Sequence, residues 1–469
     1  MKLDYVESIK QIKGVKIIFV ITFLLFFIWK LMLAFNPHVV FWDESVYIGM
    51  GKYLYSDGTI GLWEDLRPMF LPLMLGPLWL VGAGLFSMEI LMLLISAAYV
   101  LLTYLLAKEL FNDEIAAWAG IIVLVTPVFF KNTGLFLTDI ASAMFAGAAV
   151  LLFTKKKFMV AGILAGIAFL TRFPHGLIIP ILGALTIIQE KDWKITARYI
   201  AGTTIVLIPF FIFNYITYHN VATFVDALLH PIIMASAHQS NPFAPTGSLF
   251  FYGRELIENN ITFVFTIAAF AVVLLQKKYK ENKTQILLTI AVLYFAYFTL
   301  ISNKQPRFAL SFIPFIAIIA AYGIFELFKK DNLKVLCIGI AMIAFLSAYS
   351  QDSTYSFWRE TADTTIVDQF YTYDYNGTVL TSDPVPAAYN DLLFIPYYFS
   401  VHEGLPIVKE TLQKYTAKTI IYSPRSLPCT ETDEICKKER DEIVKLIKKN
   451  KLIFNATYYE ENYYIYEVE

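Results

Sequence analysis

The sequence predicts an α-helical polytopic membrane protein with about eleven transmembrane helices and a small C-terminal extracytoplasmic α/β domain. Of its 469 residues, 57% are hydrophobic and only 16% are charged, whereas soluble chains are about 45–50% apolar and about 25% charged. The apolar residues lie in blocks of roughly 17–25, the length of helix that crosses a bilayer. The net charge of −1 provides no general attraction for nucleic acid.

The predicted membrane spans follow the apolar blocks. The first block, 14–36, is too long for the core of a signal peptide and is followed by no small-residue cleavage site, so we expect a retained signal anchor. Residues 69–86 are also apolar, but Pro72 and Pro77 interrupt them, and we expect an interfacial or re-entrant helix there. The other spans are expected at 88–110, 115–131, 134–153, 158–173, 175–189, 197–216, 260–276, 284–301, 308–328 and 334–350.

The lysine clusters predict the orientation, because cytoplasmic loops carry an excess of Lys and Arg. With these spans, every cluster falls on the same side as the N-terminus, which is therefore expected in the cytoplasm. Lys131 and Lys304 are lone lysines on the other side. The clusters are Lys10, Lys13 and Lys16; Lys155, Lys156 and Lys157; Lys191 and Lys194; Lys277, Lys278, Lys280 and Lys283; and Lys329, Lys330 and Lys334. We therefore expect a multi-pass protein of the cell membrane.

Three segments are expected outside the cytoplasm. A first loop, 37–87, and a long loop, 217–259, belong to a transmembrane module that covers 1–350, and an α/β domain covers 351–469. Within that domain the patterns predict strands at 378–380 and 419–422, a helix at 434–451 and a hairpin formed by 452–459 and 463–468.

Two cysteines, Cys429 and Cys436, lie close together in the polar C-terminal part. They can pair if this part faces an oxidising compartment. The sequence leaves the disulfide open.

An acidic pair follows the first span. Asp43 and Glu44 come directly after Phe41 and Trp42. One interpretation is an aromatic belt at the membrane interface, followed by a helix N-cap. The other is a carboxylate held at the membrane surface as a general base.

Further charged residues map to the same outer surface. Asp139 lies inside the fourth span, where an ionisable group is a functional hypothesis, although a helix N-cap is the structural alternative. Arg67, Arg172 and Arg307 are each explained singly as arginines that extend toward lipid headgroups. Together with Asp43 and Asp139, they suggest a site for an anionic headgroup, because arginine binds phosphate bidentately and keeps its charge.

The six histidines show no metal-ligand spacing. A divalent metal held by the carboxylates stays open, with Asp43, Asp139 and His175 as candidate ligands. No other cofactor is indicated.

Five segments resemble, in order, the motifs of GT-C type glycosyltransferases. The groups that they resemble are the dolichyl-phosphate-mannose protein mannosyltransferases and the bacterial aminoarabinose transferases that modify lipid A. The resemblance covers about residues 35–325 and is more specific for the superfamily than for the substrate. The segments are FWDESVYIGMGKYLYSDG, RPMFLPLMLGPLWLVG, FLTDIASAMFAGAAVLLF, GILAGIAFLTRFPHGLIIP and QPRFALSFIPFIAIIAAYG.

The resemblance implies roles for the charged residues. Asp43 would be the catalytic base with Glu44 beside it, and Asp139 would be a second acidic site residue. The implied contacts to the lipid phosphate are Arg67, Arg172 and Arg307.

The chain departs from the aminoarabinose transferases at two positions. Val46 stands where they have an arginine, and Leu66 stands where they have a glutamate. Both departures argue against that substrate and against a metal site of that kind.

The function expected is a membrane glycosyltransferase, similar to the mannosyltransferases. It would transfer a sugar, with inversion, from a polyprenyl- or dolichyl-phosphate donor to a hydroxyl of a protein, lipid or glycan acceptor. Two alternatives are a lipid or solute transporter and a non-catalytic membrane assembly factor. A transporter would hold its charges near mid-bilayer and often contain repeats, and an assembly factor would leave Asp139 unexplained.

Overall fold

The computed structural model describes residues 2–35, 38–225, 249–301, 304–328, 339, 364–398, 401–414, 417–427, 429, 434–458 and 461–468. Contacts between residues divide the chain into two compact units. Met1–Asn36 and Glu89–Ser356 form the first, here called the helical unit. Pro37–Met88 and Phe357–Glu469 form the second, here called the sheet unit.

The helical unit contains long apolar helices joined by short turns. Its α-helices are Lys2–Ala34, Gly84–Leu110, Asp113–Leu124, Pro127–Asn132, Thr138–Thr154, Phe158–Thr171, Ile178–Leu185, Trp193–Tyr218, Phe251–Asn259, Phe265–Leu275, Asn282–Leu300 and Ile313–Leu327. Short 3₁₀ or π-helical turns lie at Phe173–Leu177, Thr186–Glu190, Ile261–Val264, Lys278–Lys280 and Pro306–Ser311.

Local capping explains where some of these helices begin. The side chain of Asn112 accepts hydrogen bonds from the backbone N–H groups of Glu114 and Ile115 at the start of Asp113–Leu124. Asp192 likewise accepts from Lys194 at the start of Trp193–Tyr218. Side-chain oxygens at these positions satisfy N–H groups that have no partner within the helix.

Several helices have the length and composition of membrane spans. Among the described residues, five are long and apolar enough to cross a bilayer: Gly14–Ala34, Gly84–Leu110, Phe173–Glu190, Trp193–Tyr218 and Asn282–Leu300. Shorter apolar helices lie at Thr138–Thr154, Phe158–Thr171, Ile261–Leu275 and Ile313–Leu327, each within a predicted span or close to it. The predicted span at 334–350 lies outside the described residues, save for residue 339.

Two glycines bring the helix Phe158–Thr171 against the helix Trp193–Tyr218. A Cβ atom on Gly162 would lie 2.1 Å from the carbonyl oxygen of Tyr199, and one on Gly202 would lie 2.0 Å from that of Met159. No side chain fits there. Small residues allow such close backbone approach between apolar helices, and this contact fixes the helix that leads into Arg172.

Among its described residues, the sheet unit is built around a six-stranded sheet. Its α-helices are Trp42–Tyr55, Phe70–Leu80, Thr364–Ile366, Pro386–Tyr389, Val401–Lys414 and Glu434–Ile447. Its strands are β1 Gly61–Leu62, β2 Thr378–Thr381, β3 Leu393–Pro396, β4 Ala417–Tyr422, β5 Lys451–Tyr458 and β6 Glu461–Glu467. β2, β4, β5 and β6 lie where the sequence predicts strands, whereas β1 and β3 carry no sequence pattern that we recognised.

The strand order is β1-β3-β2-β4-β6-β5. β1, β3, β2 and β4 run parallel to one another, and β6 pairs antiparallel with both β4 and β5. Because β1 comes from the segment 37–88 and β3 from the C-terminal segment, the sheet joins two stretches that are distant in the sequence. Parallel neighbours also end at the same edge, so residues that follow β1 and β3 come together.

The helix Trp42–Tyr55 is fixed to the rest of the sheet unit. Lys52 donates through Nζ to the backbone oxygens of Ala388 and Asn390 and to Oδ1 of Asp391, each at 3.0 Å. Burial lowers the pKa of Lys52, and the charge of Asp391 offsets part of this effect. The opposite end of this helix carries Asp43.

Cys429 and Cys436 form a disulfide. It connects the start of the helix Glu434–Ile447 to the segment that follows β4. The pairing that the sequence left open is therefore present in the structure.

Candidate active site

In the sheet unit, Asp43 belongs to a chain of hydrogen bonds. Nη2 of Arg67 donates to Oδ1 of Asp43 at 2.9 Å, and Nε of Arg67 donates to Oε2 of Glu64 at 2.8 Å. The hydroxyl of Tyr398 donates to Oε1 of Glu64. Asp43 and Arg67 are 20% and 27% exposed at their side chains, whereas Glu64 is 1% exposed. The chain therefore runs from a buried tyrosine to an accessible carboxylate.

Glu44 has a different environment from its neighbour. It is fully buried and accepts hydrogen bonds from Nε2 of His38, at 2.9 and 3.0 Å, and from the backbone N–H of Phe41 at 3.2 Å. These bonds fix the chain as it enters the helix Trp42–Tyr55. Of the predicted acidic pair, Asp43 is the accessible member and Glu44 is held inside.

The guanidinium of Arg67 keeps its charge. Burial alone would lower the pKa of Arg67, but the charges of Asp43 and Glu64 outweigh burial and raise the pKa well above its ordinary value. A guanidinium carries five N–H donors, and the bonds to these two carboxylates use two of them. Arg67 is thus a permanent cation in direct contact with the candidate base.

In the helical unit, Asp139 pairs with Arg172, and Arg172 and Arg307 both lie beside the ring of Phe308. Nη1 of Arg172 lies 2.6 Å from Oδ1 of Asp139, which is 1% exposed at its side chain. The guanidinium carbon of Arg172 lies 4.4 Å from the ring centroid of Phe308, and that of Arg307 lies 5.7 Å from the same centroid. Nε of Arg307 also donates to Oε1 of Gln305 at 2.7 Å. The structure brings Asp139, Arg172 and Arg307 together as an acidic residue with two cations.

These residues lie where helices begin or end. Asp139 is in the first turn of Thr138–Thr154, and Arg172 follows the last residue of Phe158–Thr171. The 3₁₀ turn Pro306–Ser311 carries both Arg307 and Phe308. This short turn places the cation of Arg307 beside the aromatic ring of Phe308.

His175 follows Arg172 by three positions, and its side chain is buried. Its Nε2 lies 2.9 Å from Oγ of Ser311, and the hydroxyl of Tyr294 donates to its backbone oxygen at 3.2 Å. Within the part of the chain that the structure describes, no group of three or more His, Cys, Asp or Glu side chains is placed to hold a metal ion. The metal candidates Asp43, Asp139 and His175 therefore do not assemble such a group from described residues.

Three residues of these clusters escaped the sequence analysis. Glu64 contacts Arg67, Tyr398 contacts Glu64, and Phe308 lies beside the two arginines of the helical unit. Phe308 sits inside a motif, directly after Arg307, and its position beside a predicted cation was a usable signal. Tyr398 offered none, because its partner Glu64 lies 334 positions away.

Comparison with known proteins places these clusters in a family context. The family model for dolichyl-phosphate-mannose-protein mannosyltransferases matches residues 67–215. That range includes Arg67, Asp139 and Arg172. No curated protein sequence matches the chain.

Solved structures share the fold over most of the chain. ArnT from Cupriavidus metallidurans, bound to undecaprenyl phosphate, matches with a TM-score of 0.65 and 14% sequence identity, over 96% of this chain and 98% of that chain. The oligosaccharyltransferase AglB from Archaeoglobus fulgidus, in complex with an inhibitory peptide and a dolichol-phosphate, matches with a TM-score of 0.53 and 12% identity, over 94% of this chain and 74% of that chain. The chain thus has the fold of the GT-C glycosyltransferases, and the resemblance that its motifs predicted is confirmed.

Proposed function

We propose that this chain is a membrane glycosyltransferase that transfers a sugar from a polyprenyl- or dolichyl-phosphate carrier to a hydroxyl group of an acceptor. The observation that carries the proposal is the accessible carboxylate of Asp43, bonded to Arg67 at the start of a fixed helix, in a chain with the GT-C fold. The family match and the carrier lipids bound to ArnT and AglB support a lipid-phosphate donor.

The reaction is a single displacement at the anomeric carbon of the donor sugar. Asp43 accepts the proton of the acceptor hydroxyl while that oxygen forms a bond to the anomeric carbon. The bond from this carbon to the lipid phosphate breaks, and the carrier leaves as a phosphate anion. Attack opposite the leaving group inverts the anomeric configuration. A general base positioned in this way typically contributes about 10²–10⁴-fold to the rate.

The leaving phosphate needs positive charge as negative charge develops on it. Arg172 and Arg307, which both lie beside Phe308, are the proposed contacts from the helical unit. Arg67 was predicted as a third phosphate contact, and its bonds to Asp43 and Glu64 support a role in holding the base. The guanidinium groups of Arg172 and Arg307 suit the binding of a leaving phosphate, because a guanidinium stays charged and binds phosphate oxygens in pairs.

Glu44 and Asp139 have supporting roles in this proposal. The bonds of Glu44 to His38 and Phe41 hold the segment that presents Asp43. Asp139 is the counter-charge of Arg172. Both were predicted as catalytic residues, and their contacts support a role in placing the groups that react.

The proposed location is the extracytoplasmic face of the cell membrane, with the N-terminus in the cytoplasm and 351–469 outside. The disulfide between Cys429 and Cys436 supports an oxidising environment for the C-terminal part. The proposed donor resembles that of the mannosyltransferases, and the acceptor is a protein, lipid or glycan hydroxyl that reaches the base from the aqueous side.

The test is a transfer assay with the purified protein in lipid nanodiscs. Labelled polyprenyl-phosphate sugars serve as donors, and the protein, lipid and glycan fractions of membranes from the source organism serve as acceptors. Wild-type protein should move the label into one fraction, and Asp43→Asn should lower the rate at least about a hundredfold.

Asp57→Asn is the matched control. Asp57 is exposed, lies just after the same helix, and has a backbone φ of 52° that asparagine tolerates. This variant should keep the wild-type rate. Equal rates for Asp43→Asn and the wild type would remove Asp43 from the mechanism, and the absence of transfer from every donor would overturn the proposed function.

A further inference from the structure

We infer that Glu64 and Tyr398 are positioning residues for the base, acting through Arg67, so that the C-terminal segment completes the catalytic group in the first loop. This inference rests on the proposed function. It assigns a task to two residues outside the recognised motifs, and it gives the C-terminal part of the chain a role in the reaction itself.

Glu64 is the centre of this arrangement. Its side chain is 1% exposed, and its two carboxylate oxygens have different partners: Oε1 accepts from Tyr398 and Oε2 accepts from Nε of Arg67. A buried carboxylate is stable only when its oxygens are bonded. The two bonds therefore fix the orientation of the Glu64 carboxylate, and that orientation fixes the guanidinium plane of Arg67.

The sheet explains why Glu64 and Tyr398 meet. Glu64 lies two residues after the end of β1, and Tyr398 lies two residues after the end of β3. β1 and β3 are parallel neighbours, with Leu62 paired to Phe394, so both residues leave the sheet at the same edge. The short strand β1 thus ties the first loop to the C-terminal segment where the contact to Arg67 begins.

The ring of Tyr398 is also fixed from the other side. The ring of Trp42, the residue before Asp43, packs edge-on against it with a centroid distance of 4.6 Å. The Tyr398 hydroxyl is consequently directed at Glu64 by a contact that involves the neighbour of the base. Asp43, Arg67, Glu64 and Tyr398 form a chain in which each member limits the movement of the next.

The expected consequence of loosening this chain is a slower chemical step. If the Tyr398 hydroxyl is removed, Glu64 loses one of its two bonds and Arg67 gains freedom to turn away from Asp43. Misplacing a catalytic group by about 1 Å can lower the rate about a hundredfold. Because Arg172 and Arg307 are the proposed contacts of the lipid phosphate, the donor KM should change little.

The test compares Tyr398→Phe with Tyr397→Phe in the nanodisc assay. Phenylalanine at 398 keeps the ring against Trp42 and removes only the hydroxyl. Tyr397 is the adjacent buried tyrosine, and its hydroxyl donates to the backbone oxygen of Ile421 at 2.8 Å, away from Glu64. Tyr398→Phe should lower kcat about ten- to hundredfold with a donor KM within about twofold of the wild type, while Tyr397→Phe keeps both values.

A second readout does not depend on transfer activity. Coupling of a water-soluble carbodiimide and an amine to Asp43, followed by mass spectrometry, reports how well the bond to Arg67 shields the carboxylate. The coupling rate at Asp43 should rise several-fold in Tyr398→Phe and in Glu64→Gln, and should stay at the wild-type value in Tyr397→Phe. Glu64→Gln changes the partner of Arg67 directly and does not involve the aromatic ring.

The outcomes separate this inference from the proposed function. A Tyr398→Phe variant with wild-type kcat, alongside an inactive Asp43→Asn variant, overturns the positioning role and leaves the transferase intact. If no donor is used by the wild type, the proposed function fails, and an unchanged coupling rate in Tyr398→Phe then also rejects the contact chain. A rise in donor KM without a change in kcat likewise contradicts a positioning role.

Discussion

Nη1 of Arg172 and Oδ1 of Asp139 are 2.6 Å apart in a region where the Asp139 side chain is almost fully buried. Asp139 lies in the first turn of the helix Thr138–Thr154, and Arg172 directly follows the next helix, Phe158–Thr171. A buried charge is tolerated when a partner compensates it. The pair therefore holds Arg172 in place. A change of Asp139 should consequently alter the binding of the donor phosphate that Arg172 is proposed to contact.

We predict that Asp139→Asn weakens donor binding and lowers stability. The substitution leaves the Arg172 guanidinium buried without its counter-charge, and breaking such a pair costs about 3–5 kcal/mol. The donor KM should rise about tenfold or more, with a lower melting temperature. Transfer kinetics over a range of donor concentrations, with a thermal melt of the same sample, check both effects. A lower kcat with an unchanged KM would instead indicate that Asp139 itself takes part in the chemistry.

Asp113→Asn is the matched control for that substitution. Asp113 also lies in the first turn of a helix and pairs with Lys16 and Lys108, but its side chain is 29% exposed. Exposed ion pairs contribute about 0–1 kcal/mol. This variant should melt within a few degrees of the wild type and keep its donor KM.

We predict that Phe308→Leu raises the donor KM. The ring of Phe308 faces the guanidinium groups of Arg172 and Arg307, and such contacts contribute about 0.5–2 kcal/mol. Leucine keeps an apolar side chain but has no π face, so both cations lose a fixed orientation. The donor KM should rise about two- to thirtyfold, as measured by steady-state transfer.

Phe298→Leu tests whether that effect reflects the cations or the packing alone. Phe298 is fully buried, and its ring centroid lies 6.1 Å from that of Phe308. Its substitution should lower the melting temperature with no change in KM. Equal KM values for the two variants would show that the ring of Phe308 does not order the arginines.

The membrane character and the charged residues were readable from the sequence for a physical reason. A helix that crosses the hydrocarbon core must be long and apolar, so a span can be recognised from a short stretch of sequence. A charged residue within such a stretch is exceptional, as Asp139 is. The arginines that meet at Phe308 were likewise found as isolated charges at span ends. Their common ring contact was not, because cation–π contacts between separate helices leave no periodic signal.

The parts that the sequence did not predict depend on contacts between distant segments. β1 has two residues, too few for any alternation, and it becomes a strand only because β3 lies beside it. Glu64 was therefore an ordinary acidic residue in a loop. Arg67 was predicted as a lipid-phosphate contact, and only the structure shows its bonds to Asp43 and Glu64 and the bond from Tyr398 to Glu64.

We predict that reduction of the disulfide destabilises the C-terminal part. Cys429 and Cys436 are separated by 7 positions, and closing a loop of this size restricts the unfolded chain by about 2–3 kcal/mol. Reductant should lower the temperature at which this part unfolds, and near-ultraviolet circular dichroism measures that temperature. A Cys429→Ser, Cys436→Ser double variant should melt like the reduced protein and should not respond to reductant. Identical melting of oxidised and reduced wild type would contradict the prediction.

Asp383 follows β2 in the sheet unit, and we predict that its carboxyl makes stability depend on pH. Burial raises the pKa of Asp383 to about 6, although the backbone N–H of Val385, which donates to Oδ1 at 2.9 Å, opposes the shift. The folded protein thus binds the proton more tightly than the unfolded chain, whose Asp383 titrates near 3.8. Between these two pH values the folded state holds more protons, so stability falls as the pH rises.

Asp383→Asn removes this pH dependence, because asparagine stays neutral and keeps an acceptor for the Val385 N–H. The variant should gain stability relative to the wild type as the pH rises from about 4 to about 6, by at most about 3 kcal/mol. Melting temperatures at one-unit intervals from pH 4 to pH 8 measure the difference. Asp391→Asn should have the opposite effect on stability. Burial would raise the pKa of Asp391, but the positive charge of Lys52 outweighs burial and lowers this pKa. That variant should therefore lose stability relative to the wild type above about pH 4. A constant offset between Asp383→Asn and the wild type across the range would show that the buried carboxyl titrates as it does in the unfolded chain.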